Sequence, residues 1–169
     1  PCVGWVEYGE GTSLDHKAVS SHHGLVDANE PFCRVPLTEL KPGTTYSYRT
    51  VSMAILDFQP YEVKYGETIM SEIYQFQTPG PDADSVTFVV FNDMHEAPAM
   101  RDRLFPIAKT EAFDLAFLNG DILSDLRRSE QVVMQLAKPY ADLCGGRVPF
   151  VLVRGNHETR GGYARQLMD

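Results

Sequence analysis

Three polar clusters along the chain hold the side chains that could do chemistry, and each cluster directly follows an apolar run. The apolar runs are residues 86–91, 115–118 and 150–153. The candidate side chains that follow them are Asp93, His95, Asp121, Asn156 and His157. Carboxylates, imidazoles and an amide oxygen form a mixed nitrogen and oxygen ligand set, which suits divalent Mn, Fe or Zn; affinity alone does not distinguish these metals. The pattern therefore predicts a metal centre.

The same apolar runs predict the elements that position these side chains. They are continuous rather than alternating, which is typical of strands covered on both faces in a mainly parallel sheet. The stretches between them are long enough to hold helices, as in βαβ units of a layered α/β domain. Because the carboxyl ends of neighbouring parallel strands lie side by side, we expect the polar clusters to converge. Gly120 and Gly155 let the backbone turn sharply there and leave room for metal and substrate.

Two helices are predicted between these strands. Residues 129–138 place Val132, Val133, Leu136 and Ala137 in one apolar stripe. Ser129 is the expected N-cap and Pro139 the expected stop. Residues 99–112 are also predicted to form a helix, although Pro106 would break or kink that helix unless it lies in the first turn.

Residues 1–78 form a different pattern, in which short β segments alternate with turn residues and no helical period occurs. The predicted strands of this all-β module are residues 5–9, 33–38, 46–51 and 73–78. Tyr46 follows a Pro-Gly turn and is expected to pin that turn through its hydroxyl, as in a tyrosine corner. Residues 79–85 are rich in Pro, Gly and Asp and predict an exposed linker.

Composition excludes several function classes. Fifteen Lys and Arg against 23 Asp and Glu give a formal net charge of −8, which does not suit a nucleic-acid scaffold. No apolar run approaches the roughly 20 residues of a membrane span.

The cysteines and the first histidines are expected to be inert. Three cysteines are too few for a disulfide framework. Cys2 and Cys33 either pair, if the protein is exported, or remain free and partly buried thiols, which we favour. His16, His22 and His23 lie in a polar stretch and are expected in a solvated loop rather than a metal site.

Two resemblances to known protein families add to this interpretation. The run LKPGTTYSYR in residues 40–49 resembles the fibronectin type III family, a β-sandwich, with the likeness covering residues 1–78 and the first strands missing. The ordered motifs D-x-H, G-D and G-N-H-E resemble the calcineurin-like metallophosphoesterase superfamily. The implied fold is an all-β sandwich module followed by a layered α/β core that holds two divalent metals, with residues 86–169 as its N-terminal half.

The second resemblance implies a role for each candidate residue. Asp93 and His95 would bind the first metal, Asp121 would bridge both metals, and Asn156 would bind the second. His157 would not be a ligand; it would contact the phosphoryl oxygen and assist the leaving group. Two close cations polarise a phosphate ester and acidify a bridging water, so the implied reaction is attack of a metal-bridging hydroxide on phosphorus. Four neighbours could orient ligands, touch substrate or form surface salt bridges: Asp125, Arg154, Glu158 and Arg160.

The chain also departs from the nearest subgroup. Purple acid phosphatases, which pair a β-domain with this core, carry D-x-G first and a Tyr three residues after the bridging Asp. Here His95 and Ser124 hold those positions, so we expect neither a tyrosinate ligand nor a stably bound ferric ion. The family takes further histidines from downstream segments, and no histidine follows His157. We therefore expect a fragment of a longer enzyme, with weak metal binding and little turnover by itself.

Two function classes follow from these observations. The first is a hydrolase of small-molecule phosphate esters, exported to the periplasm or outside the cell as the resemblance implies. The second is a non-catalytic binding or structural protein that uses the β-sandwich and carries an inactive phosphoesterase remnant. Monoester or diester preference, the natural substrate, metal identity and oligomeric state stay open.

Overall fold

The chain folds into two compact units, Pro1–Asp82 and Ala83–Asp169. The structure is a computed structural model that describes residues 1–21, 25–26, 28 and 32–167. His22 and His23, predicted in a solvated loop, lie outside the described residues. Within the described part of the chain, no helix combines the length and apolarity needed to cross a membrane.

The N-terminal unit is built on one antiparallel sheet. Its strands are β1 (Cys2–Glu10), β2 (His16–Val19), β3 (Thr45–Gln59), β4 (Glu62–Met70) and β5 (Tyr74–Gln77). The strand order is β2-β1-β3-β4, and β5 pairs with the start of β3. The described strands of this unit form a single layer, so the sandwich and the fibronectin likeness stay predictions.

Most predicted strands of this unit occur, and one does not. Residues 5–9 lie within β1, residues 46–51 within β3, and residues 73–78 contain β5. The prediction of a strand at 33–38 is wrong, since these residues are irregular; the alternation is present, but Pro36 lacks the N–H that a ladder needs. Cys2 and Cys33 are free thiols and both are exposed, so the expected partial burial is also wrong.

Tyr46 forms the expected tyrosine corner. Its side chain is 3% exposed, and its hydroxyl oxygen accepts a hydrogen bond from the Lys41 backbone N–H at 2.9 Å. The ring stacks on Phe76 of β5 with centroids 5.6 Å apart. The Pro-Gly turn is therefore tied to the strand that follows it.

The C-terminal unit contains a parallel sheet whose strands match the three apolar runs. They are β6 (Phe88–Phe91), β7 (Leu115–Asn119) and β8 (Phe150–Val153), in the order β6-β7-β8. The predicted parallel direction is confirmed, but cover on both faces is not. Phe91 and Leu118 point into the core at 3% and 0% exposure, whereas Phe88 and Val153 on the other face are 55% and 44% exposed.

Helices pack on the inner face of this sheet. They are α1 (Pro98–Ala108), α2 (Ser129–Val132), a π-helical turn (Val133–Ala137) and α3 (Lys138–Cys144). The helix predicted at 99–112 thus begins one residue early, ends at 108, and contains Pro106 near its end. Tyr140 of α3 is fully buried against Phe91, Phe105 and Phe150, and burial raises its pKa to about 12.

The second predicted helix continues past its expected stop. Pro139 lies in the first turn of α3, where a missing N–H costs little, because the preceding π-helical turn interrupts the regular hydrogen-bond ladder. The helix instead ends at Gly145, whose φ of 61° is the left-handed conformation that favours glycine. Ser129 is the first helical residue rather than the N-cap, which is Arg128.

The tyrosine corner can be tested by replacing Tyr46 with Phe. Loss of the hydroxyl leaves the Lys41 N–H without its acceptor, so we expect the N-terminal unit to lose about 1 kcal/mol of unfolding free energy. Trp5 in β1 is the only tryptophan and reports this unit by fluorescence during urea denaturation. The control is Tyr65→Phe, at a position that is 51% exposed, which should unfold as wild type. Identical midpoints for both variants would contradict the pinning role.

Candidate metal centre

The loops that follow β6 and β7 run side by side at the carboxyl edge of the parallel sheet. The Asp93 N–H donates to the Gly120 carbonyl at 3.2 Å, and the His95 N–H donates to the Asp121 carbonyl at 3.0 Å. A third bond joins the Glu96 N–H to the next carbonyl along the second loop at 2.9 Å. These bonds bring the D-x-H and G-D motifs together, although the motifs lie far apart in sequence.

Backbone strain concentrates in these loops. Among the described residues, five that are not glycine have positive φ, and four of them are Asp93 (52°), His95 (46°), Glu96 (59°) and Asp121 (53°). The left-handed region is unfavourable for residues with a side chain and persists only where the surroundings enforce it. Such residues cluster at functional sites, and here they carry the candidate ligands.

The loop after β8 joins the other two through a contact between glycines. A Cβ atom added to Gly120, whose φ is +78°, would lie 2.9 Å from the Gly155 Cα. A Cβ added to Gly155 would lie 2.2 Å from Oδ1 of Asp121. Both positions therefore require glycine for the backbones to approach this closely.

Glu158 lies in the interior and links these loops. It is 0% exposed. Its Oε2 accepts hydrogen bonds from the Asp121 N–H at 2.9 Å and the Gly155 N–H at 3.0 Å, and its Oε1 accepts the Leu123 N–H at 2.8 Å. The alternatives of substrate contact and surface salt bridging are wrong for Glu158, because its carboxylate faces backbone donors inside the unit.

Three candidate side chains meet at this edge of the sheet. The ligand atoms of His95, Asp121 and His157 all lie within 4.8 Å of one another. The backbone N–H of His157 donates to Asp121 Oδ1 at 2.9 Å, and the two imidazole rings have centroids 4.5 Å apart. Two imidazoles and one carboxylate at this spacing fit a divalent metal such as Zn, Fe or Mn.

Asp93 and Asn156 flank this group on either side. Asp93 Oδ1 is 3.8 Å from His95 Nε2, and its other oxygen contacts the Asn92 amide. In the orientation that satisfies its neighbours, the Asn156 amide nitrogen donates to Asp121 Oδ2 at 3.1 Å and its oxygen accepts from Arg160 at 2.9 Å. All five candidate side chains thus lie at one edge, while their assignment to particular ions stays a prediction.

Two other neighbours point elsewhere. Asp125 pairs with Arg127, whose Nε donates at 2.8 Å and whose terminal nitrogen lies at 2.7 Å. The hydrogen bond from this guanidinium is the largest cause of the lowered pKa of Asp125; burial opposes it, and the charge of Arg127 adds to it. Arg154 donates to the Ala164 carbonyl at 2.6 Å, away from the ligand group.

Sequence reasoning missed the residue that orients His157. The Ser124 carbonyl oxygen lies 2.8 Å from His157 Nδ1, so the ring is held with Nδ1–H toward it. Ser124 also borders a groove of about 710 Å³, together with Glu96, Arg127, Arg128 and Gln131. A backbone acceptor leaves no signal in residue type, so only the fold reveals it.

Comparison with known proteins agrees with this geometry. Residues 86–168 match the family described as calcineurin-like phosphoesterase. This part of the chain belongs to the calcineurin-like phosphoesterase family. A purple acid phosphatase isolated from yellow lupin (Lupinus luteus) seeds has a similar fold, with a TM-score of 0.61 and 23% sequence identity over 93% of this chain and 31% of that chain. The chain thus spans less than a third of that phosphatase, and no curated protein matches it significantly.

Metal binding should depend on the glycine at position 155. In Gly155→Ala the new methyl group would displace the Asp121 carboxylate, so we expect metal affinity to fall roughly 10- to 100-fold. Competition with a chromophoric chelator measures the affinity. Gly162→Ala is the matched control, since a Cβ there meets nothing within 4 Å. Unchanged affinity in Gly155→Ala would show that this close contact does not position the ligand.

Glu158→Gln tests the buried carboxylate. An amide nitrogen in place of one oxygen faces backbone donors, and each buried N–H left without an acceptor costs about 1–3 kcal/mol. We expect the C-terminal unit, which holds every described helix, to unfold at a lower temperature when followed by circular dichroism at the helical wavelength. Glu111→Gln, at an exposed position, should behave as wild type. If the two variants melt together, the carboxylate does not hold the loops.

Proposed function

We propose that the C-terminal unit carries part of a dinuclear centre for the metal-dependent hydrolysis of phosphate esters. The observation that supports this most directly is the convergence of His95, Asp121 and His157 at the edge of the parallel sheet. Membership of residues 86–168 in the calcineurin-like phosphoesterase family supports the reaction class. When bound, divalent ions supply positive charge that polarises a phosphate ester and lowers the pKa of a coordinated water.

Asp121 is proposed as the ligand shared by both ions because it occupies the centre of the group. Its Oδ1 faces the backbone N–H of His157 and its Oδ2 faces the Asn156 side-chain amide. Asp93 and His95 lie on the strand β6 side of it and would hold one ion. Asn156 lies on the strand β8 side and would hold the other through its amide oxygen.

His157 is proposed as the proton donor to the leaving-group oxygen. The Ser124 carbonyl accepts from Nδ1, so the ring is oriented and Nε2 is the nitrogen left to act on substrate. To donate a proton from Nε2 the ring would carry protons on both nitrogens, and the Ser124 carbonyl is placed to accept from Nδ1 in that form. As the bond from phosphorus to the leaving oxygen breaks, that proton would neutralise the charge on the departing group.

The groove beside the site gives room for the leaving group of a small-molecule ester. It begins at Glu96, directly after His95, and at Ser124, which contacts His157. Its walls are preorganised, because the Gln131 side chain donates to the Asp125 carbonyl at 2.7 Å and accepts the Arg127 N–H at 3.0 Å. Export to the periplasm or outside the cell remains part of the proposal on the grounds of the resemblance alone.

The roles of two residues can be separated in the full-length natural protein. Asp121→Ala should remove both ions and activity. His157→Ala should retain the ions and lower the turnover of 4-nitrophenyl phosphate or its bis-ester by roughly 10²- to 10⁴-fold, as expected for a lost general acid. Elemental analysis and initial rates measure the two effects, with the exposed Asp142→Ala as control.

Three outcomes of these measurements would change or overturn the proposal. Loss of the ions in His157→Ala would make His157 a ligand, in line with its grouping with His95 and Asp121. Wild-type turnover in Asp121→Ala would refute the proposed reaction. If wild type binds no metal and hydrolyses neither ester, the β-module becomes the functional part and the three motifs only a scaffold.

A further inference from the structure

Arg160 lies at the rim of the candidate metal centre, against the two residues that follow Gly155. Its Nη1 is 3.4 Å from Nδ1 and 3.5 Å from Nε2 of His157. In the orientation of the Asn156 amide that satisfies its neighbours, Arg160 Nη2 donates to the Asn156 side-chain oxygen at 2.9 Å. One guanidinium therefore contacts both the proposed proton donor and a proposed metal ligand.

The charge of Arg160 is not neutralised within the part of the chain that the structure describes. Its side chain is exposed, and no described carboxylate lies within ion-pair distance of it. Two other arginines near the site are engaged: Arg127 pairs with Asp125, and Arg154 donates to the Ala164 carbonyl. Because a guanidinium has five N–H donors, Arg160 retains donors for a further acceptor.

Backbone hydrogen bonds fix the position of Arg160. The Arg160 carbonyl accepts the Leu126 N–H at 2.8 Å, and the Arg160 N–H donates to the His157 carbonyl at 3.0 Å. Leu126 is 0% exposed, so the anchor is part of the core. The next residue, Gly161, has φ +95°, and a Cβ there would lie 2.0 Å from the Leu126 carbonyl oxygen. Little further ordering of the main chain is needed for Arg160 to bind a ligand.

We propose that Arg160 contacts the substrate and binds a non-bridging oxygen of its phosphoryl group. This assignment rests on the proposed function, because the ions of the centre would draw the phosphoryl group to the same edge of the sheet. The planar guanidinium matches the spacing of phosphate oxygens and forms charge-assisted hydrogen bonds to them. Its position beside His157 places the phosphoryl oxygen and the leaving-group oxygen within reach of adjacent side chains.

The test measures binding of inorganic phosphate to the Zn²⁺-loaded full-length natural protein by isothermal titration calorimetry. We expect Arg160→Gln to weaken phosphate binding about tenfold or more, the equivalent of losing a hydrogen bond to a charged group. Arg160→Lys, which keeps the charge and loses the planar fork, should fall between this variant and wild type. Arg165→Gln removes an exposed arginine five residues further on and should bind phosphate as wild type does.

A separate zinc titration of each protein distinguishes failure of the Arg160 assignment from failure of the proposed function. Zinc affinity that is not lowered in Arg160→Gln, together with weakened phosphate binding, is the expected result. Equal phosphate affinities in Arg160→Gln and wild type, or no phosphate binding by zinc-loaded wild type, would overturn the assignment of Arg160 and leave the metal centre intact. Failure of wild type to bind zinc would overturn the proposed function and the assignment with it.

Discussion

A single buried carboxylate, that of Glu158, holds the polar loops of the C-terminal unit in place. It accepts backbone N–H groups from Asp121 and Leu123 after β7 and from Gly155 after β8. A carboxylate without exposure to water is costly unless such donors stabilise its charge, and the donors in turn need an acceptor because they lie inside the protein. The loops and Glu158 therefore stabilise one another, and one side chain helps to set the separation of two loops that carry candidate ligands.

The strained backbone at the same edge has a structural consequence for the ligands. His95 and Glu96 are consecutive left-handed residues, and their N–H groups bond to the loop after β7 at 3.0 and 2.9 Å. Each left-handed residue costs of order 1–3 kcal/mol, which these bonds and the buried core beneath them must offset. A backbone held this firmly presents His95 and Asp121 at a set distance before any ligand arrives, so little reorganisation is needed on binding.

The parts of the fold that the sequence predicts depend on burial of apolar residues, whereas the parts it does not predict depend on contacts between distant elements. Continuous apolar runs located β6, β7 and β8 because burial on at least one face selects the same residue types wherever the strands lie. β4 was not predicted, since Gly66 and its charged residues weaken the pattern and pairing with β3 decides the structure. The helix passes Pro139 because Tyr140 and Leu143 bury their side chains beyond it, and a tertiary gain of that kind is invisible to local propensity.

The candidate site also contains both residues that the sequence identifies and residues whose position only the fold shows. Residue type and order identified Asp93, His95, Asp121, Asn156 and His157 as neighbours, because parallel strands end at one edge. Glutamate is rarely buried, so residue type alone gives no signal for the buried position of Glu158, and both a role near the site and a surface salt bridge were open. Only the fold shows that the residue after His157 points inward while Arg160, three residues after His157, turns outward to the rim.

The hydrogen bonds of Asp121 explain why this position requires an aspartate. Its N–H donates to Glu158, its carbonyl accepts from His95, and its two carboxylate oxygens accept from His157 and Asn156 respectively. Each carboxylate oxygen has two lone pairs, so one on each oxygen remains for an ion. A longer Glu side chain would move the oxygens away from both donors, and Asn would offer only one accepting oxygen. The fixed carboxylate thus keeps two separate directions for binding, as the proposed role of a shared ligand requires.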